Sequence, residues 1–157
     1  MANPASGADP PTLLLLPLEM ADTSGEAHPQ SDTHADRLVA LTHYLSQQIA
    51  EDRLYTMVDP APIAADISRI RAAQAIDRCN GCERDLARLV HADRVLVGEI
   101  DKVSTLIGSL RLDIVDVATG RSVFSRDLGF RGDTDDAWQH AARFFVRDLA
   151  ETPTQQR

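Results

Sequence analysis

The sequence predicts an α/β domain: a single mixed β-sheet with helices packed on it, in the order β-α-β-α-α-β-β-β-α. Three observations carry this. The run Leu13-Leu14-Leu15-Leu16 is uniformly apolar and ends at Pro17. It reads as a strand buried on both faces, which places it inside a partly parallel sheet. Several later stretches repeat apolar residues at helical spacing. Finally, residues 109–117 alternate, with Leu110, Leu112 and Ile114 on one face and Arg111 and Asp113 on the other.

Taken in order, residues 1–11 are small, polar and Pro-containing and form a tail. Residues 12–151 form the single domain, with 12–18 as its first strand, and 152–157 form a second tail. Residues 19–30 hold Gly, Pro and Ser without periodicity and read as a loop. Thr33 and Asp36 stand at capping-box spacing, with Asp in place of Glu. Leu38, Leu41, Leu45 and Ile49 then mark an amphipathic helix with Arg37, Gln47 and Gln48 toward water. Residues 54–58 form a second strand, closed by Pro60 and Pro62. Ile63, Ile67 and Ile70 mark a second helix to about Ala75. A third starts at Cys79 or Cys82 and buries Leu86, Leu89 and Val90. Residues 94–100 are the next strand. Thr119-Gly120 turns the strand of 109–117 back into 121–130, an antiparallel hairpin. Asp133, Asp135 and Asp136 suit the N-terminus of a last helix, whose buried stripe is Trp138, Ala141, Phe145 and Leu149.

Charge and composition exclude several classes of function. The formal net charge is −8 and aromatics make up 4% of the chain. Nucleic acid needs a basic footprint and stacking platforms, so it is not a partner. No stretch approaches the roughly 20 apolar residues that span a bilayer, so membrane insertion is not expected. No basic region precedes an apolar stretch at the N-terminus, so the chain is either cytoplasmic or a mature form whose signal was removed.

Cys79-Asn80-Gly81-Cys82 has two readings. Asn80 and Gly81 tolerate positive φ, which lets the cysteine Cα atoms approach to disulfide distance, so the first reading is a structural disulfide. The alternative is a thiol-disulfide oxidoreductase site, but Asp77, Glu83 and Asp85 oppose a thiolate there. Asp133, Asp135 and Asp136 are a candidate interaction or cation site; the plainer reading is a helix start with dipole-matching acids. Asp101, Lys102 and Ser104 read as a solvated strand end. The five histidines have no i, i+4 pair, so no metal ligand set is predicted, nor any cofactor. No phosphate loop, nucleophile elbow or other catalytic constellation is present, so no catalytic residue is named.

The segments LLLLPLE (13–19), LARLVHADRVLVGEI (86–100) and LRLDIVDVATGRSVFS (110–125) resemble the α/β domain at the N-terminus of TolB, and related CsgG-like envelope domains. In those domains the third helix ends in Leu-Gly-Ala-Asp; His91 stands here in place of Gly, and His tolerates the left-handed conformation. The blocks CNGCERDLA (79–87), DKVSTLI (101–107) and RGDTDDAW (131–138) are similar to a secreted bacterial family of unknown function found near quinoprotein alcohol dehydrogenases that use pyrroloquinoline quinone. The resemblance spans about residues 12–149. It implies a periplasmic protein with its signal removed. It also implies a non-catalytic accessory or binding role with a protein partner in the cell envelope.

Overall fold

The computed structural model describes residues 9–26, 31–153 and 157. It is an α/β fold with a six-stranded mixed sheet and four helices packed on it. The elements are β1 (Thr12–Leu15), β2 (Glu19–Asp22), α1 (Ser31–Glu51), β3 (Thr56–Met57), α2 (Ala64–Ala73), α3 (Cys82–Leu89), β4 (Arg94–Lys102), β5 (Ile107–Asp116), β6 (Ser122–Arg131) and α4 (Asp135–Glu151). Strands run in the order β3-β1-β4-β5-β6, and β2 also pairs with β4.

The sheet joins two kinds of connection. β1 lies parallel to both β3 and β4, while β4, β5 and β6 form an antiparallel meander. The connection from β1 to β3 moves one way across the sheet, and the return from β3 to β4 crosses back over β1. Right-handed crossovers then require helices on opposite faces. The two cores follow this division. One holds Leu13, Leu15, Leu41, Leu45, Leu110, Leu112, Phe145 and Leu149, under α1 and α4. The other holds Leu14, Leu16, Ile63, Ile67, Leu86 and Val95, under α2 and α3. Among the described residues no helix is long and apolar enough to cross a membrane.

The chain departs from the predicted order at Glu19–Asp22, which is a strand and not loop. Leu16 donates its N–H to the Leu96 carbonyl, but Pro17 has no N–H and interrupts the ladder. Pairing resumes at Glu19↔Glu99 after Leu15↔Leu96, so the first strand carries one extra residue. That bulge turns Leu18 onto the α1 face, where Leu13 and Leu15 also lie. Gly98 makes room for it, since a Cβ there would meet Leu18 Cδ2 at 2.6 Å and Leu112 Cδ2 at 2.4 Å.

Two smaller corrections concern α1 and α3, while the end of α3 and the stripe of α4 agree with the sequence reading. α1 begins at Ser31, so Thr33 and Asp36 sit inside its first turns and not at a cap. α3 runs from Cys82, and its core contacts are Leu86 and Ala87; Leu89 is 57% exposed. The buried stripe is centred between Leu86 and Ala87 and continues to the partly buried Val90, and at about 100° per residue Leu89 falls to one side of it. It ends with His91 at φ 56°, the left-handed position expected from the Leu-Gly-Ala-Asp comparison. α4 is capped by Thr134, whose side chain accepts the Ala137 N–H, and Trp138, Ala141, Phe145 and Leu149 are all buried.

Candidate functional site

Polar side chains gather where β2 and β4 end and α1 and α4 begin. Lys102, the last residue of β4, is 3% exposed. Its ammonium donates to the Glu26 carboxylate, with Asp133 at 3.5 Å and Asp22 at 4.0 Å. Asp133 lies 2.7 Å from His34 Nε2 and accepts from Arg37 Nη1 at 2.6 Å; Arg37 Nε donates to Asp135 at 2.6 Å. Trp138 floors the cluster. The Arg37 guanidinium sits 4.9 Å over its ring, and His34 stacks on it with centroids 6.0 Å apart.

The electrostatics follow from this crowding. Burial pushes the Asp133 carboxyl up, but the His34 hydrogen bond and the charges of His34, Arg37 and Lys102 hold it below its ordinary value. The Glu26 hydrogen bond raises Lys102 against the cost of burial. Cations of the chain therefore already serve two of the three acids singled out in the sequence. Asp136 points elsewhere, lining a groove described below. Arg37, expected toward water, has a side chain only 11% exposed, because Asp133 and Asp135 draw it inward. Lys102, expected at a solvated strand end, is at the centre of the cluster. His34 and Glu26 were not singled out; their partners lie 99 and 76 residues away, so no local pattern marks them.

Cys79 and Cys82 close the segment between α2 and α3. Their Cα atoms are 5.5 Å apart with the sulfurs in contact, a separation that a disulfide takes. Asn80 and Gly81 have φ of 34° and 103°, as the turn requires. Cys79 is buried in the α2–α3 core, and Glu83 also approaches, so the three ligand atoms lie within 4.8 Å of one another. An acid beside the pair and an inward-facing first cysteine are poor conditions for a reactive thiolate.

A third cluster had no sequence signal beyond ordinary strand alternation. Glu99 on β4 is 3% exposed and lies beside Asp77, with Arg111 at 3.2 Å and Arg78 at 3.9 Å. Burial and the hydrogen bond with Asp77 push its carboxyl up to about 7.

The last feature is an edge. β6 ends the sheet, and no described strand pairs with its outer side. A groove of about 640 Å³ runs between it and α4, lined by Leu128, Gly129, Phe130, Asp136, His140 and Phe144 among others. Charge, apolar surface and unpaired backbone meet there.

The family model described as protein of unknown function (DUF2380) matches residues 11–149. The chain belongs to the DUF2380 family. No curated protein matches it significantly. Solved structures similar to this DUF2380 chain share its fold at low identity. Lipoprotein GNA1162 from Neisseria meningitidis is 17% identical, with a TM-score of 0.58 over 91% of this chain and 99% of its own. The PelC dodecamer from Paraburkholderia phytofirmans is 13% identical, with a TM-score of 0.52 over 96% and 91%. TolB from Acinetobacter baumannii is 11% identical, with a TM-score of 0.52 over 91% of this chain and 28% of TolB. The likeness to TolB seen in the sequence is thus a likeness of fold.

Proposed function

We propose that this DUF2380 chain is a non-catalytic accessory module of the bacterial cell envelope that binds a protein partner through β6. The observation that carries this reading is the open edge of β6 beside the α4 groove. A ten-residue strand offers a row of backbone donors and acceptors that an extended segment can satisfy, with pockets for its side chains. Phe144, Leu128 and Phe130 supply the apolar contact and Asp136 a polar one. The occupant is an extended segment of an envelope protein, added as a seventh strand.

The shared fold with a lipoprotein, GNA1162, supports the envelope setting. The sequence resemblance adds a narrower role beside a quinoprotein alcohol oxidation system in the periplasm, with the signal removed. Two further readings attach to named residues: Cys79 and Cys82 as a structural disulfide suited to an oxidising compartment, and the acids Asp133, Asp135 and Asp136 as an interaction site in which Asp135 and Asp136 make the contact and the largely buried Asp133 holds α4 in place beneath them. The test is the full-length gene product, tagged and fractionated. Release with the periplasmic or membrane fraction supports the reading; recovery with cytosol alone overturns it.

A further inference from the structure

A second groove, of about 610 Å³, opens at the carboxyl ends of β1 and β3. Leu15, Leu38, Met57 and Val58 form its apolar wall, and His43 and Arg71 stand at its rim. Open α/β sheets take ligands outside the carboxyl ends of their parallel strands, in clefts that are mostly apolar with a few placed polar groups. The charge of this cleft is unusual for the chain. Asp and Glu number 24 against 16 Lys and Arg, yet among the described residues no carboxylate lines the cleft. Among the described residues Arg71 makes no hydrogen bond or ion pair; Glu19, whose charge it feels, is engaged by the Ile76 N–H.

We infer that this cleft binds an amphiphilic anion: an acyl chain along the Leu15–Leu38–Met57 wall, with its carboxylate or phosphate headgroup on Arg71. An apolar tail alone would need no cation at the rim, and a hydrophilic anion would need no apolar wall. A guanidinium is suited to both headgroups, since its planar fork matches carboxylate and phosphate oxygens. This site lies apart from the β6 edge, so its failure leaves the envelope reading untouched.

Calorimetric titration of the full chain with decanoate, decyl phosphate and decanol, below micelle formation, tests it. At least one of the two anions should bind with a Kd on the order of 10–100 μM. The tighter one identifies the headgroup. Decanol should bind about ten-fold more weakly or worse, as should the preferred anion to Arg71→Gln, while Arg71→Lys keeps most of the affinity. Val39, 72% exposed on the lip of the cleft, gives a second variant that does not burden folding. Val39→Asp should also weaken anion binding by repulsion. No binding of either anion, equal binding of decanol, or anion affinity unchanged in both Arg71→Gln and Val39→Asp would overturn the inference.

Discussion

Lys102 Nζ lies 3.5 Å from Asp133 Oδ2, with the lysine side chain 4% and the aspartate 15% exposed. This pair ties the end of β4 to the start of α4, and through His34 and Arg37 to α1. Removing Lys102 leaves the Glu26 carboxylate without its cation and takes one of three cationic partners from the largely buried Asp133, beside His34 and Arg37. Lys102→Ala should therefore destabilise the protein by about 3 kcal/mol, read from urea unfolding. Lys102→Met with Glu26→Gln should recover part of that loss, since it removes both members of the hydrogen-bonded pair, and a double-mutant cycle gives the coupling. A loss below about 0.5 kcal/mol would mean the pair is solvated.

Trp138 is 1% exposed and floors the same cluster from α4. Trp138→Ala removes that floor and leaves a cavity, at a cost of about 3–5 kcal/mol. The folded wild type should show blue-shifted tryptophan emission, moving to the water-exposed maximum only on unfolding. Exposed-type emission in the native protein would contradict the packing.

How much of this was legible in the sequence depended on range. Local periodicity marked the alternation of Leu110, Leu112 and Ile114 and the Trp138 stripe, while the left-handed His91 was implied by the resemblance to TolB-like domains. Pro17 hid β2, because a proline usually ends a strand, and only the partner strand β4 reveals that pairing resumes. The acids at 133 and 135 were visible, but their partners at 34, 37 and 102 are distant in the chain and carry no shared pattern. Glu99 looked like an ordinary polar position on an alternating strand; its burial follows from the turn at Ile76–Arg78 packing over it.

Stability should vary with pH in two opposed windows. Glu99 is raised from 4.5 to about 7 in the folded chain, by burial first and then by Asp77. The folded state then binds the proton more tightly than the unfolded one. Its contribution is complete below pH 4.5 and lost as pH rises through about 7, on the order of 2–3 kcal/mol. Asp133, Asp22 and Asp116 are lowered from 3.8, so their contribution is present above that pH and lost below it. Stability should peak on the acid side of neutrality, and Glu99→Gln should flatten the fall toward pH 7. A wild-type melting temperature that rises steadily from pH 5 to pH 8 would contradict this.

The Cys79–Cys82 loop is too small for a large entropic effect, so a disulfide there contributes only about 2 kcal/mol. Replacing both with Ser should lower the melting temperature by about 3–6 °C and leave partner binding intact. Mass spectrometry of non-reduced protein should find no free thiol. Two free thiols, or lost function without a change in melting, would favour the redox alternative.

The central claim is that β6 is a docking edge. Gly129 on β6 has open space where a side chain would be, so a photo-crosslinking residue fits there without disturbing the fold. Crosslinking in intact cells should give one discrete adduct with an envelope protein. The adduct should disappear in Phe144→Glu, while the same probe at Glu51, at the far end of α1, gives none. No adduct at Gly129, an adduct only with a second copy of the chain, or one that survives Phe144→Glu would contradict the account.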